Sequence, residues 1–143
     1  MLLDANLLLY AVDSSSRFHD RSAAWLEASL NGDVAVAFPW QTIGAFVRIA
    51  THPRVFERPL SGDEAWDYVD RWLATRVAWI PPASERTARV YASLNEQIPI
   101  TGQLVPDAQL AALAIEHGLE VQSADGDFAR FPGLRWRNPI APT

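Results

Sequence analysis

Short apolar runs alternate with longer amphipathic stretches along the chain, and this alternation limits its possible folds more than any other feature. The runs have the length of strands, and the stretches between them have the length and apolar spacing of helices. Parallel strands need helical crossovers of this kind, because the chain must return to the starting edge of the sheet before each new strand. We therefore expect an α/β sandwich in which helices flank a parallel sheet of four or five strands. The predicted strands are MLLD, DVAVAF, VAWI, LEVQSA and LRWRN.

The helical stretches carry start and stop signals. Ser61 is a suitable N-cap and acidic residues follow it, while Pro106 is expected at the first position of a helix that Gly118 ends. In the helix after Ser61, the apolar spacing predicts that Trp66, Val69 and Leu73 face the core. The predicted helices cover residues 5–12, 17–30, 40–50, 61–74, 84–97 and 106–117.

Composition narrows the functional classes. A length of 143 residues suits a single domain, residues 1–143, and the absence of cysteine excludes disulfides, thiolate metal sites and a cysteine nucleophile. The apolar N-terminal segment contains Asp4 and is too short to cross a bilayer, so we expect no membrane association and a cytoplasmic protein. The net charge of −5 would repel a polyanion, so any nucleic-acid contact must be local.

Four aspartates are predicted to lie at one edge of the sheet. Asp4 ends the first strand, Asp125 and Asp127 follow the fourth, and Asp107 lies in the first turn of the preceding helix. Helix N-termini and crossover loops meet outside the carboxyl ends of parallel strands, which is where chemistry concentrates. Taken singly, Asp4 and Asp107 suit helix starts, and Asp125-Gly126-Asp127 suits a turn. Their joint placement, with Asp107 on the apolar side of its helix, favours a shared site.

An acidic cluster of this kind predicts a bound metal ion. Carboxylates about 5 Å apart repel by roughly 3 kcal/mol per pair at an effective dielectric near 20, and a divalent cation removes this conflict. The available ligands are oxygens, while His19, His52 and His117 are far apart in the sequence. This donor set favours Mg²⁺, with Mn²⁺ as a substitute, over Zn²⁺. A metal held by carboxylates suits phosphoryl chemistry.

Four segments carry a resemblance to a known family: LLDANLLLYA, FVRIATHPRVF, VPDAQLAALAIEHG and SADGDFARFPGLRW. In this order, over about residues 2–139, they resemble the PIN-domain ribonucleases, specifically the VapC toxins of bacterial toxin–antitoxin pairs. The resemblance implies a PIN-like three-layer sandwich and a Mg²⁺-dependent endoribonuclease that cleaves RNA phosphodiesters. It also implies a homodimer and inhibition by a cognate VapB-like antitoxin.

The resemblance assigns roles to individual residues. Asp4, Asp107 and Asp125 correspond to catalytic metal ligands, and Asp127 to an auxiliary catalytic acid. Among the supporting residues, Asn6 stands where the family often has a small polar residue that orients the first aspartate. Ser123 stands where a hydroxyl commonly faces the site.

One position departs from the family pattern. Ala45 occupies the place of the usual glutamate in the helix after the second strand, and no other acid lies between Asp33 and Glu57. With one carboxylate fewer, a single metal is favoured over a tightly held pair. An alternative function follows from the same residue, namely a catalytically weak PIN-like module that only binds RNA or protein.

Other enzyme classes fit less well. Haloacid-dehalogenase-like phosphatases also begin with a strand that ends in aspartate, but their motif has a second aspartate where this chain has Asn6, and they need a lysine that it lacks. If the substrate is RNA, Arg48, Arg130 or another local arginine is expected to contact phosphate.

Overall fold

The computed structural model describes residues 1–142, in which five short parallel strands form one sheet. The sheet order is β3-β2-β1-β4-β5, and each neighbouring pair is parallel. This confirms the predicted α/β sandwich, although each strand is only two residues long. The strands are β1 (Leu2–Leu3), β2 (Val36–Ala37), β3 (Ala78–Trp79), β4 (Val121–Gln122) and β5 (Trp136–Arg137).

Helices cover both faces of the sheet. Because successive strand residues point to opposite faces, neighbouring residues of one strand enter different cores. Leu2 packs into a core with the helices of residues 85–117, while Leu3 packs into a second core with those of residues 5–73. The helices are α1 (Ala5–Val12), α2 (His19–Leu30), α3 (Trp40–Ala50), α4 (Gly62–Leu73), α5 (Glu85–Gln97) and α6 (Leu104–His117). A 3₁₀ helix, Gly126–Arg130, follows β4 and contributes the fully buried Phe128 to the first core.

Two helix starts differ from the prediction. Helix α6 begins at Leu104, so Pro106 is its third residue rather than its first. Proline is tolerated there because the first-turn N–H groups have no partner within the helix. Asp107 still lies in the first turn, and Gly118 ends the helix with a φ of 67°, as predicted. Helix α2 begins at His19 rather than Arg17.

The prediction that Trp66 faces the core is wrong. The buried face of α4 consists of Ala65, Val69 and Trp72, whereas Trp66 remains 41% exposed. Trp66 lies at the border of this buried stripe and packs edge-on against Trp40, with ring centroids 6.4 Å apart.

Candidate functional site

The carboxyl ends of β1 and β4 carry aspartates to the same edge of the sheet, because these two strands are neighbours. Asp4 follows β1 and caps α1, and its Oδ1 accepts a hydrogen bond of 2.8 Å from the Ala5 amide. Asp125 follows β4 and caps the 3₁₀ helix, with its Oδ1 accepting a bond of 2.9 Å from the Asp127 amide. Both residues therefore have a structural function as caps, and their carboxylates stay beside the strand ends.

Three carboxylates converge at this edge. Asp107, Asp125 and Asp127 each offer one oxygen, and these atoms all lie within 4.8 Å of one another. Asp107 and Asp125 are half-buried, and Asp127 is exposed. Asp127, expected to be auxiliary, therefore stands within the group, whereas Asp4 is not a member of it. We call Asp107, Asp125 and Asp127 the acidic triad.

The acids of this edge influence one another electrostatically. Burial raises the pKa of Asp107 from 3.8 to about 7, and the charges of Asp125, Asp4 and Asp127 contribute to the increase. Burial also raises the pKa of Asp4, although hydrogen bonds from Ser123 and Ala5 partly oppose this effect. Asp4 thus belongs to the same electrostatic site as the acidic triad. Part of the Asp107 population is therefore protonated near neutral pH, so the unliganded cluster carries less than its full negative charge.

Ser123 links β4 to the first aspartate. Its fully buried hydroxyl donates to Asp4 Oδ2 at 2.7 Å, and it accepts from Asn6 Nδ2 at 3.1 Å and from the Asp125 amide at 3.0 Å. Asn6 Oδ1 also accepts a weaker bond of 3.4 Å from the Ala124 amide. Asn6 therefore reaches Asp4 through Ser123, so one hydroxyl positions residues that are more than 100 positions apart in the sequence.

Thr42 is a site-forming residue that the sequence analysis missed. It is 2% exposed, and its Oγ1 donates a bond of 2.7 Å to the carbonyl of Leu3, immediately before Asp4. The signal was a hydroxyl residue on the apolar face of an otherwise hydrophobic helix, next to Ile43. Ala45 lies almost one turn further along α3 and is half-buried, while the adjacent Gly44 has open space around it.

The two candidate phosphate-binding arginines lie in different elements. Arg130 is exposed in the last turn of the 3₁₀ helix that contains Asp127. Arg48 lies in the last turn of α3, eight residues beyond the start of that helix, which corresponds to about 12 Å along its axis. Arg130 therefore shares an element with one of the four acids, whereas Arg48 does not.

The histidines are engaged elsewhere. A ring nitrogen of His19 pairs with the carbonyl of Tyr10, and one of His117 pairs with the carbonyl of Pro82. His52 accepts a hydrogen bond from the amide of Arg54. None of the three belongs to the acidic triad.

A cavity of about 670 Å³ lies away from the acids, at the amino ends of the strands. Its walls include Met1, Glu120 and Arg135. We place the functional site at the carboxyl edge instead, because the acidic triad and the charge-perturbed Asp107 are located there. Among the described helices, none has the length and apolar character required to cross a membrane.

Comparison with known proteins gives consistent matches along the chain. Residues 1–134 match the family model described as PIN domain. Ribonuclease VapC37 of Mycobacterium tuberculosis is 42% identical over 140 residues, covering 98% of this chain and 97% of that protein. Ribonuclease VapC33 from the same species is 36% identical over 137 residues, covering 96% of each chain.

Solved structures share the fold at lower sequence identity. The VapBC2 structure from Rickettsia felis, bound to a promoter DNA fragment, aligns with a TM-score of 0.71 at 18% identity, covering 96% of each chain. The structure of M. tuberculosis VapC20, described as a sarcin-ricin loop cleaving toxin, aligns with a TM-score of 0.64 at 15% identity. That alignment covers 94% of this chain and 98% of VapC20.

Proposed function

Because this chain belongs to the PIN-domain family, we propose that it is a VapC-type toxin that hydrolyses RNA phosphodiester bonds with the help of a divalent metal ion. The observation that carries the proposal is the convergence of Asp107, Asp125 and Asp127 beside Asp4 at the carboxyl edge of the sheet. An enzyme that acts on cellular RNA would work in the cytoplasm, which agrees with the cysteine-free composition.

The donor set fits a magnesium ion. Mg²⁺ binds oxygen ligands at 2.0–2.1 Å, so two ligands of one ion lie at most about 4.2 Å apart. The oxygens of the acidic triad lie within 4.8 Å of one another, and small side-chain rotations would bring them into range. Mn²⁺ prefers the same oxygen donors and is expected to substitute.

We assign the metal ligands to Asp107 and Asp125 of the acidic triad and to Asp4, whose charge acts on Asp107 at the same edge. Asp127 completes the shell or accepts a proton from the attacking water. When bound, the metal ion lowers the pKa of a coordinated water and neutralises charge that develops on the phosphate oxygens. Ser123, held by Asn6, fixes the orientation of the Asp4 carboxylate by donating to Oδ2.

Substrate binding must overcome an unfavourable field. With a net charge of −5 and four acids at the site, the protein would repel the RNA backbone unless cations act locally. Arg130, in the same 3₁₀ helix as Asp127, is the residue we assign to a phosphate next to the cleaved bond.

The proposed partners are a VapB-like antitoxin that inhibits the enzyme, and a second copy of the chain in a homodimer. The names of the relatives and the VapBC complexes among the similar structures support this pairing. A basic side chain of the antitoxin entering the acidic edge would compete with the metal for the same carboxylates.

Cleavage assays test the proposal directly. Purified protein should cleave single-stranded RNA with Mg²⁺ or Mn²⁺ and lose this activity in EDTA. Asp107→Asn should reduce cleavage by at least about 100-fold, comparable with the loss of a main electrostatic contributor in other active sites. The matched control is Asp70→Asn, because Asp70 is an exposed aspartate of α4 that is not part of the site. Undiminished cleavage by Asp107→Asn would contradict the assignment.

Ala45 favours one alternative, a PIN-like module that binds RNA or protein without cleaving it. The same assay separates the two functions, because such a module would bind its partner and leave RNA intact with either metal. Growth arrest on expression of this chain, relieved by co-expression of its antitoxin, would then support the toxin function.

A further inference from the structure

A second cavity, of about 370 Å³, lies between the start of α3 and the helices α5 and α6. Its volume falls within the range of small-molecule binding sites. The polar side chains that line it come from all three helices and from the N-cap of α5. They belong to Gln41, Ser84, Thr87, Tyr91 and Gln109.

The cavity flanks the acidic edge. Leu2 pairs with Ala37, and the same register continued two residues past the strands brings Pro39 level with Asp4. Gln41 is two residues beyond Pro39, at the start of α3. On the opposite wall, Gln109 is two residues after Asp107 in α6. Residues two apart on a helix are separated by about 200° around its axis and by about 3 Å along it, so Gln109 lies near Asp107 along α6 but faces away from it, and the cavity does not include the acidic triad.

The chemistry of the cavity differs from that of the acidic edge. None of the described residues that line it is charged, although the Glu116 carboxylate accepts hydrogen bonds from Ser84 and Thr87 in its wall. A phosphate would need a cationic partner, and a metal ion would need carboxylates, so neither ligand suits this cavity. The lining instead suits a neutral ligand that has both an apolar face and polar edges.

The amide groups of Gln41 and Gln109 are free to bind such a ligand. Both residues are exposed, and within residues 1–142 neither side-chain amide has a hydrogen-bond partner. The hydroxyls of Ser84 and Thr87, in contrast, donate to Glu116. Each amide presents a donor beside an acceptor, which matches the edge of an unpaired base, and the ring of Tyr91 offers an aromatic surface for stacking.

We propose that this cavity binds one unpaired nucleobase of the substrate, next to the cleaved phosphodiester, and thereby sets the base preference of cleavage. The inference rests on the proposed ribonuclease function for the identity of the ligand. It also accounts for how an acidic protein can hold RNA, because stacking and amide contacts do not depend on net charge. The base is read by Gln41 and Gln109, and the acids act on the adjacent phosphate.

Two substitutions test this assignment, Gln41→Ala and Gln109→Ala. The matched control is Gln97→Ala, because Gln97 is an exposed glutamine at the end of α5 whose amide donates to the Ser93 carbonyl. All three variants should retain the thermal stability of the wild type, since the replaced side chains are exposed. Each protein is incubated with Mg²⁺ and a single-stranded RNA pool of random sequence, and the cleavage sites are sequenced.

The wild type and Gln97→Ala should share one base preference near the cleaved bond. Gln41→Ala and Gln109→Ala should each reduce that preference by roughly 5- to 100-fold, the range for losing one bidentate amide–base contact. Cleavage with an unchanged preference in both variants would overturn the inference and leave the proposed function intact.

A binding assay separates the two proposals. Fluorescently labelled hexamers of A, C, G or U are titrated in EDTA against Asp107→Asn protein, with and without the glutamine substitutions. We expect one hexamer to bind most tightly, and Gln41→Ala or Gln109→Ala to remove that difference. This result without cleavage by the wild type would contradict the proposed function and still support the base site. Equal binding of all four hexamers, or binding of none, would overturn the base site.

Discussion

Replacing Asp107 with asparagine should stabilise the metal-free protein above neutral pH. Burial and the neighbouring acids raise the pKa of Asp107 from 3.8 to about 7. A carboxyl group with a raised pKa binds its proton more tightly in the folded than in the unfolded state. The free energy of unfolding therefore falls as the pH rises from about 4 to about 7, and it stays low above that range. Asparagine is uncharged at every pH and avoids this loss.

The size of the effect follows from the change in pKa. An increase of about 3 units corresponds to roughly 4 kcal/mol, at about 1.4 kcal/mol per unit. Because the side chain is partly exposed, solvent screening reduces this figure, and we take about half of it, roughly 2 kcal/mol. For a chain of 143 residues, this corresponds to an increase in Tm of roughly 4–8 °C.

Urea unfolding in EDTA, at pH 5 and pH 8, measures the difference. The free energy of unfolding of Asp107→Asn should exceed that of the wild type by about 2 kcal/mol at pH 8 and by less than about 1 kcal/mol at pH 5. Asp70→Asn should show no such pH-dependent gain. Excess Mg²⁺ should stabilise the wild type more than the variant, because binding to the folded state adds to its stability. If Asp107→Asn were no more stable than the wild type at pH 8 without metal, the electrostatic conflict inferred for this site would be refuted.

Four further predictions concern the same edge of the sheet. Mg²⁺ affinity, measured by calorimetry, should fall as the pH drops through about 7, because protonated Asp107 cannot serve as a ligand; constant affinity from pH 5.5 to 8.5 would contradict its role. Ser123→Ala removes a buried hydroxyl with three hydrogen bonds and should lower the free energy of unfolding, measured in urea, by about 1–3 kcal/mol. It should also reduce cleavage, because Asp4 loses the donor that orients it. Ala45→Glu restores the usual acid of the family and should tighten Mg²⁺ binding by about tenfold in the same titration, through the added ligand charge; unchanged affinity would place this position outside the metal shell. Phe128→Ala should lower the free energy of unfolding by about 3–5 kcal/mol, because the ring is fully buried. It should also lower the cleavage rate of the folded fraction, because the ring anchors the 3₁₀ helix that follows the cap at Asp125. Full activity in that fraction would show that this anchor is not needed.

The acidic edge shows how stability and the proposed chemistry are coupled. Asp4 and Asp125 cap helices, so part of their position is maintained by local hydrogen bonds that do not depend on metal. Asp107, in contrast, does not cap a helix, because the N-cap position of α6 is occupied by Gln103, which makes no side-chain cap hydrogen bond. Burial and neighbouring charge raise the pKa of Asp107, so a bound cation would favour its ionised form.

Much of the fold could be predicted from local patterns. The alternation of apolar runs and helical stretches predicted the parallel sheet, and Gly118 predicted the end of α6. These predictions succeed because strand and helix signals repeat every two or 3.6 residues within a single segment. Trp66 was misassigned because a residue at the border of an apolar stripe fits either side, and the spacing within α4 does not tell which side the rest of the chain covers.

The sequence by itself determined which residues end strands and begin helices, and so which aspartates reach the carboxyl edge of the sheet. The tertiary structure decided which of them meet. Asp127 joins Asp107 and Asp125 within 4.8 Å, while Asp4 instead receives the hydroxyl of Ser123, 119 positions away. The order of the strands and the packing of α6 on the sheet set these distances, and no pattern within one segment encodes them. The raised pKa of Asp107 has the same origin, because burial and neighbouring charge exist only after distant segments have packed together.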